Sequence, residues 1–185
     1  MHKSVWISLC LVLSSCATAP APLDASSDVR ALVMALRDRD LPGIEARMDR
    51  PALQAQVTGI ARAIAANEIA KRTGGGEGGQ ILGVLGADLA NPLLERLSRQ
   101  ALEPAILADL ARRAGLTPET VLPSRTATSM GLKRLADGRV CAPDPQTKAC
   151  ILYFGRYPSG WKLNALDEAA LRGRLAAPAA SRARR

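Results

Sequence analysis

The spacing of apolar residues changes once along this chain, and this change constrains the fold more than any other feature. Before Thr126 the apolar residues recur at helical spacing, as at Leu53, Val57 and Ile60. After it, short apolar runs alternate with turn sequences such as Asp137-Gly138, which is typical of antiparallel strands. Helices followed by strands predict an α+β fold, in which N-terminal amphipathic helices pack on a small C-terminal antiparallel β-meander.

Capping residues, prolines and glycines predict where the helices begin and end. Asp49 before Pro51 favours the start of a long helix, and Thr73 with Gly74 favours its end near Arg72. Further helix boundaries are expected at Asn91-Pro92 (N-cap and first residue), Pro104, Gly115 and Asp167. Strands are expected around 139–141, 149–154 and 161–163.

The length allows one domain with a proper core. Removal of a signal leaves a mature chain of about 170 residues, too few for two ordinary domains. Alanine and leucine supply most of the apolar side chains and only 3% of residues are aromatic, which favours helices. The predicted organisation is a signal peptide at 1–15, a flexible tether at 16–27, a single α+β domain at 28–176 and a basic disordered tail at 177–185.

The N-terminal segment predicts an address in the bacterial cell envelope. His2 and Lys3 precede an apolar run of roughly ten residues, as in a signal peptide, and a membrane-spanning helix needs about twenty. The run ends in Leu13-Ser14-Ser15-Cys16, which resembles the lipobox of bacterial lipoproteins. This resemblance implies that fatty acids such as palmitate are attached at Cys16, and two or three acyl chains hold a protein stably on a membrane.

The sequence leaves two features of the cellular location open, namely the cleavage site and the membrane that receives the anchor. Cleavage after Ala19, within a run of small residues, would instead release a secreted protein without lipid. In the lipoproteins that the signal resembles, acidic residues after the cysteine retain the protein in the inner membrane. Ala17 and Thr18 follow Cys16 here, so we expect an anchor in the outer membrane that faces the periplasm.

Two cysteines remain after the signal and the lipidation site are set aside. Cys141 and Cys150 are nine positions apart around a turn sequence, which predicts a disulfide across a β-hairpin in the oxidising periplasm. The alternative is a redox-active dithiol, which usually has Cys-x-x-Cys spacing beside an electropositive helix terminus.

The composition limits the catalytic chemistry that is available. The only histidine is His2, which leaves with the signal, and its loss removes the usual general base and nucleophile partner. The carboxylates that remain lie at expected helix starts or on solvated helix faces. We therefore predict a protein that is not an enzyme and that has no cofactor and no metal site.

A glycine run formally matches a phosphate-binding loop. Residues 74–79 read Gly-Gly-Gly-Glu-Gly-Gly, but they follow a predicted helix and not a strand, and no lysine stands where a P-loop needs one. We interpret the run as a flexible hinge between helical hairpins.

Basic residues are in excess, with a formal net charge of +8. No base-reading motif accompanies them, so we expect no nucleic-acid partner. A positive domain near a membrane would be attracted to anionic lipid, lipopolysaccharide or an acidic polymer, although most arginines can be explained as solvated helix surface. Candidate contact residues are Tyr157, Trp161, Arg172 and Arg174. For the aromatic members of this set, packing in the core of the sheet is the preferred interpretation, and an exposed contact at Tyr157-Pro158 is the alternative.

Several short elements resemble one bacterial family. They are the segment at 35–40, Asp49-x-Pro51-x-Leu53, the amphipathic pair around Leu94, Leu97 and Pro104, and the closing Trp161-Lys162-Leu163. Together they resemble the family called domain of unknown function 2939 over most of residues 29–166. The resemblance implies a small envelope-associated protein without an assigned reaction.

Two functions follow as predictions from the sequence. The first is a membrane-tethered envelope lipoprotein with an accessory or protein-interaction role. The alternative is a domain that binds a small ligand or a glycan in a cavity between helices and sheet, with carboxylate-dependent hydrolysis as its catalytic form.

Overall fold

A computed structural model describes residues 21–176. Within this range, seven helices are followed by a four-stranded sheet and an eighth helix. The predicted signal, Cys16 and the basic tail lie outside the described residues. The helices are α1 Ala21–Asp38, α2 Leu41–Ala46, α3 Arg50–Arg72, α4 Gly76–Leu89, α5 Asn91–Ala101, α6 Pro104–Arg113, α7 Arg125–Gly131 and α8 Glu168–Ala176. The strands are β1 Lys133–Arg134, β2 Val140–Pro143, β3 Cys150–Tyr157 and β4 Gly160–Leu166. This order confirms the α+β prediction.

The sheet is an antiparallel meander in the order β1-β2-β3-β4. Gly138 and Gly160 have positive φ angles of 85° and 111° in the turns that precede β2 and begin β4, where glycine is favoured because it has no Cβ atom. Cys141 on β2 and Cys150 on β3 form the predicted disulfide. The bond closes the β2–β3 hairpin near its turn.

The core lies between α1 and one face of this sheet. α1 contributes Val29 and Leu32, and the sheet contributes Val140, Phe154 and Trp161. Phe154 and Val140 are fully buried. Other members come from α2, the loop after it, the N-terminal part of α3, the C-cap of α5 and the middle of α6: Ile44, Met48, Leu53, Leu102 and Ala108. The apolar stripes of the helices therefore cover the sheet, as layer packing requires.

A short backbone link joins the loop between α2 and α3 to β4. The amide of Asp49 donates to the carbonyl of Leu163 at 2.9 Å, and the amide of Leu163 donates to the carbonyl of Arg47 at 3.0 Å. These bonds satisfy backbone groups on the outer edge of β4, which would otherwise be an exposed strand edge. The link also fixes the start of α3 beside the sheet.

Helix boundaries agree with the predicted caps in most places. The carboxylate of Asp49 accepts from the amide of Ala52, and α3 ends at Arg72 as expected. Asp167 accepts from the amide of Ala170 at the start of α8. At α5 the predicted N-cap is wrong, because Asn91 is already helical and its amide group bonds Glu95 at 2.6 Å.

The predicted tether is wrong for residues 21–27, which form the start of α1. The composition of this segment is typical of a linker, but Pro22 lies in the first turn of a helix, where proline is tolerated. Ala25 is fully buried and Ser26 bonds the carbonyl of Leu23. Because of this tertiary packing, residues 21–27 belong to the domain, whose predicted N-terminal boundary was residue 28.

Three elements were missed or misjudged at the sequence level. α7 and the two-residue strand β1 occupy the stretch where only a change of periodicity was expected. Of the glycine run, Gly74 and Gly75 form the turn between α3 and α4, whereas α4 begins at Gly76 and continues through the remaining glycines. A helix can include them because one side of α4 packs closely against α3.

Candidate functional site

Small residues bring α3 and α4 into close contact. A Cβ atom on Gly83 would collide with the carbonyl oxygen of Ala66, and one on Gly79 would lie 3.1 Å from the carbonyl oxygen of Ala70. Gly79, Gly83 and Ala87 are the buried residues of α4. They recur every four positions and therefore form one stripe along the helix. The two helices form an antiparallel hairpin that depends on this lack of side chains.

An ion pair and a glycine turn close the two ends of the hairpin. Arg62 of α3 pairs with Asp88 near the end of α4. At the other end, Gly74 and Gly75 have φ angles of 92° and 69°, which residues with a Cβ atom rarely adopt. The hairpin is therefore a defined unit that spans residues 62–89.

The side of α4 that points away from α3 is apolar and exposed. We define the α4 face as Ile81, Leu82, Val84, Leu85 and Leu89, whose exposed fractions lie between 53 and 86%. Ile81, Leu85 and Leu89 follow one another at intervals of four residues and form a continuous stripe. Groups of neighbouring exposed aliphatic side chains are typical of interaction surfaces, which makes the α4 face a candidate site.

The opposite side of the hairpin is polar. Asn67, Glu68, Lys71 and Arg72 of α3 are exposed, and Lys71 pairs with Glu68 at 2.9 Å. The hairpin is thus amphipathic as a unit, with a polar outer side on α3 and an apolar outer side on α4. On the neighbouring α5, Leu93 and Leu97 are also exposed and lie four positions apart.

The sequence carries a signal for this surface, because residues 81–89 form an apolar segment that Gly83 and Gly86 interrupt. Their spacing does not say which side of the helix is covered, because glycine can mark a loop, a hinge or a close helix contact. Only the packing of Gly83 against Ala66 shows that the glycines face inward and the aliphatic residues outward.

Tyr157, one of the predicted contact residues, is paired within the protein. Its hydroxyl donates to the carboxylate of Asp49 at 2.6 Å. This hydrogen bond, followed by the one from the amide of Ala52, lowers the pKa of Asp49. The same hydrogen bond raises the pKa of Tyr157. Lys162 lies over the tyrosine ring, 5.9 Å from its centre.

Trp161 is a core residue, so its assignment as a contact residue is wrong. Its exposed fraction is 3%. The indole Nε1 donates to Asp24 at 3.0 Å, and the backbone amide donates to Asp28 at 2.9 Å. Both acceptors lie on α1, and the tryptophan therefore joins β4 to that helix. A large aromatic residue in a chain that has few is favoured as a packing unit.

The predicted basic contacts lie on α8. Arg172 pairs with Glu168 at 2.6 Å, and both side chains are more than half exposed. Arg174 belongs to α8, and its side chain is not among those described. Among the described contacts, the one side-chain hydrogen bond of Arg172 is with Glu168, and none joins Arg172 to Tyr157 or Trp161.

One concavity of about 360 Å³ between β3, β4 and α8 contains two carboxylates, Asp144 and Asp167. Both are already used by local structure. Asp144 accepts from the amides of Gln146 and Thr147, which lowers its pKa. Asp167 accepts from the amide of Ala170 at the start of α8. A glycosidase acid needs a raised pKa, and Asp144 has the opposite shift.

A second concavity of about 470 Å³ lies between α3 and α5 and has a mixed polar and apolar lining. Gln54, Thr58, Arg62, Asn91 and Glu95 line it. The hydroxyl of Thr58 is buried and has no hydrogen-bond partner among the described residues. Glu95 is the one carboxylate in this lining, so a catalytic carboxylate pair is not formed there by the lining residues.

Among residues 21–176, no three histidine, cysteine or acidic side chains come together as metal ligands. None of the helices described is long and apolar enough to cross a membrane.

The fold and the surface define an α+β domain with an amphipathic helical hairpin. No family of known proteins, no curated protein and no solved structure matches this chain.

Proposed function

We propose that this protein is a lipid-anchored envelope protein that acts by binding and not by catalysis. The observation that carries the proposal is the α4 face, because it presents five exposed aliphatic residues on a helix whose other side is fixed to α3. Exposure of such a surface to water is unfavourable, and its burial against another apolar surface lowers the free energy.

Several carboxylates are engaged in caps and ion pairs, and this supports a binding role over a catalytic one. Asp49, Asp144 and Asp167 cap helices or turns. Asp38 and Asp88 pair with arginines. Capping and pairing stabilise the ionised form of a carboxylate, whereas a general acid near neutral pH needs a raised pKa.

The anchor is proposed from the sequence. Leu13-Ser14-Ser15-Cys16 matches the order of an aliphatic residue, two small residues and a cysteine, and attached acyl chains would hold the domain at a membrane. An outer-membrane location and the likeness to domain of unknown function 2939 belong to the proposal in the same way.

Fatty-acid labelling in a bacterial host tests the anchor. The leader holds a second cysteine, Cys10, which provides a matched control. We expect labelled fatty acid on the wild-type chain and on Cys10→Ser, and none on Cys16→Ser. Equal labelling of the Cys16→Ser variant, or no labelling of the wild type, would remove the anchor from the proposal.

Site-specific photocrosslinking in intact cells tests the binding surface. A photoreactive residue at Leu85 samples the α4 face, and one at Asn67 samples the polar side of the same hairpin. We expect defined adducts from position 85 and only scattered ones from position 67. Matching adduct patterns from both positions would show that the α4 face has no preferred neighbour.

A second candidate function is the binding of a small polar ligand between α3 and α5. The buried Thr58 hydroxyl, which lacks a partner among the described side chains, favours it, because a buried polar group without a hydrogen bond is costly. Saccharides added to the protein should then raise its melting temperature, and Thr58→Val should abolish that rise. A flat response to the whole series would exclude this candidate.

A further inference from the structure

We propose that the α4 face, together with Leu93 and Leu97 of α5, binds the same surface of a second copy of this chain, with the two α4–α5 segments antiparallel. This inference rests on the proposed function, in which the α4 face is a binding surface. It adds the partner, which is the chain itself.

α4 and α5 present one continuous outer surface along α3. Gly83 of α4 lies beside Ala66, whereas Glu95 of α5 lines a concavity with Thr58, closer to the start of α3. Ala90, which joins the two helices, has helical φ and ψ angles of −81° and −8°. The two helices therefore follow α3 in succession, and their outer sides adjoin.

The aliphatic residues of this surface have a symmetric spacing. An exposed aliphatic residue recurs at every fourth position: Ile81, Leu85, Leu89, Leu93 and Leu97. Leu89 is central and has the largest exposed fraction of the five, 86%. A two-fold axis at Leu89 places Leu85 of each copy near Leu93 of the other, and Ile81 near Leu97, since in a two-fold dimer each contact occurs twice. The stripe is thus suited to pair with itself.

The charges on this surface are self-complementary in the same arrangement. Glu77 is exposed on the stripe, four residues before Ile81, and Arg96 and Arg99 are exposed beside Leu97 at the other end. Antiparallel pairing brings Glu77 of each copy to the basic end of the other, whereas parallel pairing would bring like charges together. An anionic lipid surface would instead repel Glu77.

The other charges near this surface do not oppose the pairing. Asp88 is paired with Arg62 of α3, and Glu95 accepts a hydrogen bond within α5. Lys71 and Arg72 belong to the polar side of the hairpin, away from the α4 face. The contact surface therefore has an acidic end, a compensated middle and a basic end.

The size of the surface suits a dimer. α4 and α5 together span residues 76–101, which corresponds to about 39 Å of helix with a diameter of about 10 to 12 Å. The outer half of such a helix offers roughly 800 Å² of accessible surface, the area that each partner contributes to an interface of standard size. Its seven aliphatic side chains are each more than half exposed.

Sedimentation equilibrium tests the dimer. The sample is residues 16–185 with Cys16→Ser, which keeps every described residue and does not depend on lipidation. We expect a dimer with a dissociation constant of about 10 μM or below. Leu85→Ser should weaken it about tenfold or more, because one substitution removes an apolar side chain from both copies.

Leu110→Ser on α6 is the matched control. Leu110 and Leu85 have nearly the same exposed fraction, 53% and 55%, so the two substitutions change solubility and surface polarity alike. The control should leave the dissociation constant unchanged. Circular dichroism shows whether both variants keep their helices.

Charge reversal tests the antiparallel arrangement. Glu77→Arg in one variant, and Arg96→Glu with Arg99→Glu in another, should each weaken the dimer about fivefold or more, because like charges then meet at both ends. An equimolar mixture of the two variants should dimerise as the wild type does. In the mixed dimer each end again pairs opposite charges.

Three results would overturn the proposal. The first is a wild type that remains monomeric at about 100 μM, ten times the expected dissociation constant; binding of this monomer to phosphatidylglycerol vesicles would assign the surface to lipid. The second is equal behaviour of Leu85→Ser and Leu110→Ser, which would place the dimer contact elsewhere. The third is a mixture of the charge variants that does not recover the dimer.

These failures are distinguishable from a failure of the proposed function. A monomer in solution, together with defined adducts from position 85 to a different protein in cells, would leave the binding role intact and replace the partner. Because the sample lacks the anchor, fatty-acid labelling is decided separately.

Discussion

One carboxylate, that of Asp49, connects three parts of the chain. Its Oδ1 atom accepts from the amide of Ala52 at 3.0 Å, and its Oδ2 atom accepts from the hydroxyl of Tyr157 at 2.6 Å. Its backbone amide bonds Leu163. The residue thus caps α3 and at the same time holds that helix against β3 and β4.

Tyr157→Phe should lower the free energy of unfolding by about 1 to 3 kcal/mol at pH 7, because it removes a hydrogen bond to a charged acceptor. The bond lowers the pKa of Asp49, so its stabilisation is present above the unfolded pKa, near 3.9, and disappears as the pH falls through the lowered folded value. The raised pKa of Tyr157 gives a second loss, above about pH 10.

Urea unfolding of the wild type and of Tyr157→Phe between pH 3 and pH 7 measures the difference in their free energies of unfolding. Tyr153→Phe is the matched control, because the Tyr153 hydroxyl lies 3.5 Å from the carbonyl oxygen of Cys150 and makes only a weak contact. A difference between wild type and Tyr157→Phe that stays constant over the whole range would contradict the pairing with an ionised Asp49.

At the scale of elements, the α3–α4 hairpin is defined by residues that lack side chains. Gly79 and Gly83 approach the backbone of α3, whereas Gly78 on the same helix has no heavy atom near the place of a Cβ atom. Glycine inside a helix destabilises it by about 1 kcal/mol relative to alanine. The close contact at Gly83 therefore explains why a glycine is suited to that position.

Gly83→Ala and Gly78→Ala should have opposite effects on stability. At Gly83 the new methyl group collides with the carbonyl oxygen of Ala66, and we expect a loss of about 1 to 3 kcal/mol as the helices separate. At Gly78 the methyl group meets open space, and alanine should stabilise α4 by up to about 1 kcal/mol. Thermal unfolding followed by circular dichroism measures both; equal effects at the two sites would contradict the close packing.

The whole molecule consists of a packed body and a hairpin at its side. The core cluster takes members from α1, α2, the N-terminal part of α3, α6 and the sheet, and none of its fully buried members lies on α4. Within the described residues, α4 makes its main contacts with α3 and α5 alone. The outer part of the hairpin therefore rests on fewer apolar contacts than the body does.

Hydrogen exchange should show this difference in stability. We expect the amides of α4 to exchange through local opening at a free energy about 2 kcal/mol or more below that of β3 and α1, since local stability follows buried contacts. Exchange measured by mass spectrometry in water resolves the two regions. If α4 and β3 exchange at the same free energy, the hairpin unfolds together with the core.

Local signals were sufficient for much of the architecture. Asp49, Pro104 and Gly115 predicted helix ends because capping and helix termination depend on a few neighbouring residues. Spacing and turn residues predicted the meander, and cysteine spacing predicted the disulfide. These features are decided within about ten residues of chain, a range over which the sequence can be interpreted directly.

Long-range contacts decided the remaining features. Residues 21–27 have the composition of a linker but form the start of α1, because Ala25 packs in the core and the side chain of Asp24 accepts a hydrogen bond from Trp161. Trp161, a candidate contact residue from the sequence, is buried for the same reason. The sequence by itself determined which segments form helices and strands, since caps, turns and periodicity are local. Only the tertiary structure decided which side of each segment is covered, because the packing of α4 against α3 turns the glycines inward and leaves the aliphatic residues on the surface.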